Sequence, residues 1–142
     1  MRRIMVATDG SPGADRAVDA AATLAKAIGG DLFIVTIGGD LTGEQAKTLV
    51  RAEGNIGDVL EVLSNQILRQ ASERAERVGA PKIEVATGWG DPAQGILEIA
   101  TRIEADTIVL GRRGRGRLSG LLLGSVSQKI VSLAPCIVIV VP

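Results

Sequence analysis

Histidine is absent from this sequence, and that absence restricts its chemistry more than any other feature of the composition. Histidine is the usual general base of nucleophilic triads and a common zinc ligand. Triads, general bases and zinc sites built on histidine are therefore excluded. The one cysteine, Cys136, excludes an internal disulfide and a CxxC metal or redox pair. A chain without disulfides suits a reducing compartment, so we expect a cytoplasmic protein.

Aromatic residues and net charge are also low. The sequence has one tryptophan, one phenylalanine and no tyrosine, and its 16 Lys and Arg residues balance 16 Asp and Glu residues. Proteins that bind single-stranded nucleic acid stack bases on aromatic side chains and attract the phosphate backbone with a basic surface. The composition therefore predicts no nucleic-acid partner.

Long apolar runs are missing too. No stretch is long enough to span a bilayer, and the apolar run at the N-terminus is broken by Asp9 well before a signal-peptide core would end. We therefore expect no membrane association. A length of 142 residues, without an internal repeat or a linker, predicts a single domain over residues 1–142.

The sequence does contain a regular alternation of short β-branched runs with segments of helical period. This pattern is typical of βαβ units around a parallel sheet. Five strands are predicted, at residues 3–8, 31–37, 82–87, 106–110 and 136–141. A doubly wound order such as 3-2-1-4-5 would place strand three, in which apolar and polar residues alternate, at one edge and strand five at the other.

Local signals mark the first two helices. Gly29-Gly30 should end the first, and the longest helix is expected to begin at Ile56 and stop before Gly79. The polar stretch at residues 40–55 is expected to be the most flexible part of the chain. One apolar stripe is predicted to run along the longest helix, at Ile56, Leu60, Leu63, Ile67, Ala71, Ala75 and Val78.

The third and fourth helices are also marked. Asp91, Pro92 and Gln94 predict an N-cap, a proline in the first turn and a capping box for the third helix. Pro135 should close the fourth. Three apolar residues of the fourth helix are expected to face inward: Val126, Ile130 and Leu133.

The fifth strand is almost wholly apolar, since Cys136 is followed by five β-branched residues through Val141. At a sheet edge, such a strand would expose unpaired backbone groups and apolar side chains together. A homodimer joined along this strand would cover both, through a two-fold symmetric contact. The alternative is cover by Pro142 or by another loop of the same chain.

The segment from Gly111 to Ser127 follows the fourth strand and precedes the last helix. Its glycines allow a ligand to approach the backbone, and the N–H groups at the helix start attract anions. The hydroxyl groups of Ser125 and Ser127 can donate to phosphate oxygens. Local positive charge comes from four arginines: Arg112, Arg113, Arg115 and Arg117.

In the order 3-2-1-4-5, a ligand would sit at the carboxyl ends of strands one and four, where the strand order reverses. Asp9 and Gly10 at the end of strand one would then face Gly111 across the crevice. Asp9 could accept hydrogen bonds from a ribose or hold a metal through water. These features predict a phosphate or nucleotide site. A flexible solvated loop is the alternative left open, whereas nucleic-acid binding by the arginines is disfavoured by the few aromatic residues and the zero net charge.

The same segment has a specific spacing: glycine, two residues, glycine, nine residues, glycine, then serine or threonine. Gly111, Gly114, Gly124 and Ser125 meet this pattern, which resembles the ATP-binding signature of the universal stress protein family. The resemblance extends over nearly the whole chain, including residues 8–11, 88–92 and 119–127.

Two positions depart from the pattern of that family. Thr36 stands where a histidine is often found late in the second strand, and Ile137 stands where a proline often follows the cysteine of the last strand. The first departure bears on the adenine contacts and the second on the dimer edge. Neither affects the phosphate loop.

The resemblance implies an α/β, Rossmann-like three-layer sandwich of the adenine nucleotide alpha hydrolase type, with a five-stranded parallel sheet in the order 3-2-1-4-5. It also implies ATP as the ligand, accompanied by Mg²⁺ or Mn²⁺, and a homodimer through the last strand. The residues implied at the adenosine are Ala7, Thr8, Asp9, Ile37, Leu110 and Gly111. Those implied at the phosphates are Gly114, Gly124, Ser125 and Val126, with Arg112 adding charge beside them.

Hydrolysis has little support in the sequence. There is no Walker A lysine or obvious carboxylate pair, and Asp9 is the only acid expected near the nucleotide. We therefore predict a nucleotide-dependent switch or partner-binding module in the stress response, with an unidentified protein partner. A slow ATPase or phosphotransferase and a nucleotide-free dimeric scaffold are the alternatives.

Three other features of the sequence have more than one interpretation. Residues 10–15 resemble the SGGxDS loop of ATP pyrophosphatases, but Pro12 and Arg16 break that pattern and favour a simple helix cap. A response-regulator receiver is excluded because Thr87 stands where its aspartate would be. Trp89 could shield the ligand crevice or the dimer rim, or it could anchor its loop.

Overall fold

The computed structural model describes residues 2–38, 56–112 and 123–142, with side chains from residue 59 onward in the second range. Within these residues, five strands alternate with four helices. The strands are β1 (Arg3–Ala7), β2 (Asp31–Gly38), β3 (Lys82–Trp89), β4 (Thr107–Gly111) and β5 (Ile137–Val141). The helices are α1 (Pro12–Ile28), α2 (Ile56–Val78), α3 (Pro92–Arg102) and α4 (Ser125–Leu133).

The strands form one sheet in the order β3-β2-β1-β4-β5, and every neighbouring pair is parallel. Strand β1 lies at the centre, with Val6 opposite Ile34 of β2 on one side and Val109 of β4 on the other. Strands β3 and β5 are the two edges. The predicted order 3-2-1-4-5 is confirmed.

Helices cover both faces of this sheet, because the central strands are apolar on both sides. Ile4 and Val6 belong to a buried cluster with α1 and α2, whereas Met5, between them in sequence, belongs to a second cluster with α3 and α4. Successive strand residues point to opposite faces, so the two clusters lie on either side of the sheet. The result is the predicted three-layer sandwich.

The predicted helix ends are largely confirmed. The Ser11 hydroxyl accepts a hydrogen bond from the Ala14 N–H at 3.2 Å and caps α1, which ends at Gly29 with a positive φ of 65°. Asp91 caps α3 through the Gln94 N–H at 2.9 Å. The Gln94 side chain, however, donates to Glu98 rather than closing the predicted capping box.

Two predicted helix faces differ from the structure. Among the side chains of α2 described from residue 59 onward, the predicted Leu60, Leu63 and Ile67 are only half-buried, and the fully buried positions beside them are Val59, Ser64 and Leu68. The predicted Ala71 and Ala75 are buried. Adjacent positions such as residues 59 and 60 are both apolar, and only packing decides which one turns inward. Leu133, at the end of α4, is 66% exposed instead of buried. Among the described helices, none is both long and apolar enough to cross a membrane.

Candidate functional site

The sheet order creates one crevice at the carboxyl ends of β1 and β4. Chain connections lead from β1 to one side of the sheet and from β4 to the other, and ligands of open α/β sheets bind at this switch point. Strand β1 ends at Ala7 and β4 ends at Gly111, in a register that pairs Val6 with Val109. Residues 7–9 and 110–112 therefore lie across from each other.

The turn after β1 is held by short hydrogen bonds. The Thr8 N–H donates to the Val35 carbonyl of β2 at 2.9 Å, and the Thr8 hydroxyl accepts from the Gly10 N–H at 3.1 Å. An Asp9 carboxylate oxygen accepts from the Ser11 N–H at 2.9 Å. Gly10 has a positive φ of 80°, which favours glycine at this bend. These contacts orient the half-buried Asp9 carboxylate at the end of β1.

Gly111 lies where β4 meets the first turn of α1. A Cβ atom on Gly111 would be 3.0 Å from the Gly13 carbonyl oxygen and 3.1 Å from its carbon. Because both neighbours are backbone atoms, they have little freedom to move aside. Packing of the crevice wall therefore favours glycine at the first position of the loop pattern, whatever the ligand.

The two ends of the loop after β4 are tied together in what we call the neck: Arg112, Gly124 and Ser127. The Arg112 carbonyl accepts from the Gly124 N–H at 2.8 Å and from the Ser127 hydroxyl at 2.7 Å. The Arg112 N–H donates to the Val141 carbonyl of β5 at 2.7 Å. Ser127 is 2% exposed, so its hydroxyl serves the neck and not a phosphate, contrary to the sequence prediction.

Beyond the neck, α4 begins at Ser125. Its N-cap residue is Gly124, which makes no side-chain capping hydrogen bond, and Ser125 is exposed. The first N–H groups of a helix carry partial positive charge and need acceptors from outside the helix. An anion can take the place of the missing cap here, next to a hydroxyl group.

On the other side of β1, the Ile37 side chain near the end of β2 is buried and closely packed. A Cβ atom on Gly88 would lie 2.9 Å from the Ile37 Cδ1, and one on Gly95 of α3 would lie 2.8 Å from it. Ile37 is 8% exposed. Sequence reasoning missed Gly95, and no local signal marks it except a glycine inside a helix.

Trp89 lies at the end of β3, opposite Gly38 in the register with β2. A Cβ atom on Gly38 would be 2.5 Å from the Trp89 ring, so the indole rests against the bare backbone of Gly38. The edge strand β5 is at the far side of the sheet. Of the alternatives weighed for Trp89, the rim of a β5 dimer is therefore wrong.

The structure brings most of the sequence-predicted site residues to the carboxyl end of the sheet. The described members of the set lie at or just beyond the carboxyl ends of the strands: Ala7, Thr8, Asp9, Ile37, Leu110, Gly111, Arg112, Gly124, Ser125 and Val126. Gly114, with Arg113, Arg115 and Arg117, lies outside the described residues, as does the stretch at residues 40–55.

Two groups with shifted pKa values lie away from the carboxyl end of the sheet. Arg74 donates hydrogen bonds to the Asp19 carboxylate, and this contact raises the pKa of Arg74 and joins α2 to α1. Burial, with the Asp106 carboxylate, raises the pKa of the Cys136 thiol, which is half-buried just before β5 at the opposite end of the sheet. Within the described ranges, no group of three or more His, Cys, Asp or Glu side chains could hold a metal ion.

Comparison with known proteins agrees with this architecture. A universal stress protein of Thermus aquaticus, from the QAH/OAS sulfhydrylase 3′ region, is 36% identical over 149 residues, covering 99% of this chain and 98% of that protein. The crystal structure of a universal stress protein in complex with cAMP has a TM-score of 0.75 and 31% identity, covering 99% and 97% of the two chains.

Another solved structure, the universal stress protein UspA from Lactobacillus plantarum, has a TM-score of 0.80 at 24% identity and covers 99% of this chain and 97% of its own. At that identity the likeness concerns the fold alone. The model of the universal stress protein family matches residues 1–142, the whole of the sequence. On these grounds the chain belongs to the universal stress protein family.

Proposed function

We propose that this chain binds ATP in the crevice between β1 and β4 and acts as a nucleotide-dependent switch or partner-binding module in the stress response. The observation that carries the proposal is the neck. Its hydrogen bonds hold the N-terminus of α4, which has no side-chain cap, beside the end of β4 at the crevice. The relative solved with cAMP, itself an adenine nucleotide, supports the same ligand class. A protein partner would bind the nucleotide-bound form in preference to the free form. We further propose that the protein is a single domain and cytoplasmic.

Each predicted residue has a place in this proposal. Phosphates would lie at the α4 start and the loop glycines, with Mg²⁺ or Mn²⁺ held by phosphate oxygens, which are the kind of ligand that Mg²⁺ prefers. The phosphate-binding set is Arg112, Gly114, Gly124, Ser125 and Val126. The adenosine-binding set is Ala7, Thr8, Asp9, Ile37, Leu110 and Gly111.

Calorimetric titration with ATP and AMP in the presence of Mg²⁺ tests the proposal, with Ser125→Asp as the diagnostic variant. An acid in the first turn suits the helix dipole, so folding should survive, but it repels phosphate. We expect ATP affinity to fall by about tenfold or more. Ser132→Asp, at an exposed position near the far end of α4, is the matched control and should bind as the wild type does. Absence of heat with every nucleotide would overturn the proposal.

A slow ATPase is the second candidate, favoured by the placement of the Asp9 carboxylate at the end of β1. Water activation needs a base near the phosphates. Release of ADP by the wild-type protein above that of Asp9→Asn, measured at saturating ATP, would support hydrolysis. Equal rates in the two proteins would remove this candidate.

We also propose that a second copy of the chain covers the β5 edge. Four apolar side chains are exposed on β5 and the adjoining α4: Val131 (48%), Leu133 (66%), Ile137 (64%) and Ile139 (36%). Edge backbone and apolar surface together favour self-association along the strand. A nucleotide-free dimeric scaffold would have this contact without a ligand in the crevice.

A further inference from the structure

The carboxyl end of β5 belongs both to the edge of the sheet and to the neck. The Arg112 N–H donates to the Val141 carbonyl at 2.7 Å. The carbonyl of the same residue accepts hydrogen bonds from Gly124 and Ser127 at the start of α4. Arg112 therefore connects the last strand to the helix end at which we place the phosphates.

The same strand end is also joined to α1. The Arg16 Nε donates to the Pro142 carbonyl at 3.0 Å, directly after β5, and the Val141 side chain packs against the buried cluster that contains α1. Gly111 is the ladder partner of Val141 and lies against Gly13 in the first turn of α1. The neck, the crevice wall at Gly111 and the strand of the proposed dimer contact thus share one junction at Val141.

As an edge strand, β5 is held by its own chain on one side. Within the described part of the chain its neighbour in the sheet is β4, and none of its five residues is fully buried, whereas four of the five residues of β4 are. Elements with few buried contacts open locally at a lower free-energy cost than the core. If the carboxyl end of β5 leaves the sheet, the hydrogen bond between Arg112 and Val141 breaks, and the neck loses its contact with β5.

We propose that nucleotide binding at the crevice and dimer formation along β5 strengthen each other through the neck. This inference rests on the proposed function and the proposed β5 contact, and it adds the regulation of the nucleotide site. A partner strand would pair with the free side of β5 and hold its end in the sheet. Phosphates at the start of α4 would hold the neck. Because both events stabilise the same strand end, the first makes the second more favourable.

Calorimetric titration tests the effect of the dimer on ATP binding. Ile137→Lys, which should be a monomer, is expected to bind ATP about fivefold more weakly than the wild-type dimer, a typical size for coupling between sites. Ile137 is the first residue of β5 and Val141 the last, so the lysine is at the far end of the strand from the neck. Val85→Lys, on the other edge strand, is the matched control and should bind ATP as the wild type does.

Sedimentation equilibrium over a dilution series tests the reverse effect. Coupling between two binding events is reciprocal, and a dimer has two nucleotide sites, so the dimer constant should change by the square of the change per site. Saturating ATP with Mg²⁺ should therefore lower the dissociation constant of the wild-type dimer by about 25-fold.

Ser127→Ala tests whether the neck carries the coupling. This change removes the hydroxyl that donates to the Arg112 carbonyl at 2.7 Å. The effect of saturating ATP on the dimer constant should shrink by about threefold or more, since one hydrogen bond of the neck is lost. Ser132→Ala is the matched control, because its exposed hydroxyl bonds to the Gln128 carbonyl within α4. It should keep the full effect, and an equally full effect in Ser127→Ala would refute the neck as the route.

The results also separate the coupling from the proposals on which it rests. If ATP binds and the wild type is a dimer, yet the dimer constant is the same with and without ATP, the coupling is wrong and both earlier proposals stand. A dimer that ATP weakens would contradict the sign. If Ile137→Lys binds ATP weakly but ATP leaves the wild-type dimer unchanged, the lysine itself disturbs the crevice and the coupling is again refuted. If calorimetry shows no ATP binding, or sedimentation shows a monomer, that proposal falls and the coupling falls with it.

Discussion

Ser125 and Ser127 stand two positions apart in the same segment, and the structure gives them different tasks. Ser125 is exposed at the start of α4, whereas Ser127 is buried and donates to the Arg112 carbonyl. Sequence reasoning treated both hydroxyls as phosphate donors. At the residue scale, the two can be separated because a change at Ser127 should affect stability, whereas a change at Ser125 should affect ligand binding alone.

Ser127→Ala should lower the free energy of unfolding by about 1 kcal/mol, since it removes one buried hydrogen bond while the Arg112 carbonyl keeps the Gly124 N–H. Thermal melting should show a decrease of about 2 to 5 °C. ATP affinity should fall with it, because the neck positions the α4 start.

Ser125→Ala is the comparison, and it should melt within about 1 °C of the wild type because the side chain is exposed. Its ATP affinity should still decrease, through the lost hydroxyl. A melting temperature of Ser127→Ala equal to that of the wild type would show that the neck does not depend on this hydroxyl.

At the scale of elements, α3 contains a residue that local propensity opposes. Glycine inside a helix costs about 1 kcal/mol relative to alanine, yet Gly95 lies in the interior of α3. A Cβ atom there would lie 2.8 Å from Ile37 Cδ1 and 3.3 Å from two further atoms of that side chain. Packing of α3 against β2 therefore outweighs helix propensity at this position.

We expect Gly95→Ala to destabilise the protein by about 1 to 2 kcal/mol, although alanine is the better helix former. The reason is that the steric cost of a methyl group against Ile37 should exceed the gain in helix propensity. Ile37→Val removes the atom in closest contact. In a denaturant-unfolding cycle, the double variant should therefore be more stable than the sum of the single changes predicts. Strict additivity, or stabilisation by Gly95→Ala alone, would contradict this account.

At the scale of the whole molecule, the two edges of the sheet differ in their surroundings. Strand β3 carries Lys82 and Glu84, which form an ion pair at 3.4 Å, and such charges discourage edge pairing. Strand β5 consists of five apolar β-branched residues and adjoins the exposed end of α4. This asymmetry makes β5 the edge at which we propose the dimer contact.

Ile137→Lys should convert the proposed dimer to a monomer, because it places a charge on the most exposed apolar side chain of β5. Val85→Lys, at the other edge and also exposed, is the control and should leave the dimer intact. Sedimentation velocity gives the mass, and circular dichroism checks that both variants fold. A wild-type monomer, or an Ile137→Lys dimer, would refute the contact through β5.

Much of the fold could be predicted from sequence because its signals are local. Ser11-Pro12 and Gly29 bound α1 through contacts within a few residues, and the β-branched runs at β2 and β5 need no partner to be recognised. The glycine spacing after β4 likewise pointed to the candidate site. Gly114 belongs to that spacing, and its role stays a prediction.

Contacts between distant segments were decided by tertiary structure. The sequence by itself determined the alternation of strands and helices, the helix caps and the residue types available for chemistry, because hydrophobic period and backbone propensity act between near neighbours. Only the folded chain placed Gly95 under Ile37, Trp89 on Gly38 and Ser127 on Arg112. Each of these pairs joins residues from different segments of the chain, and whether a Cβ atom or a hydroxyl fits is set by how those segments pack in space.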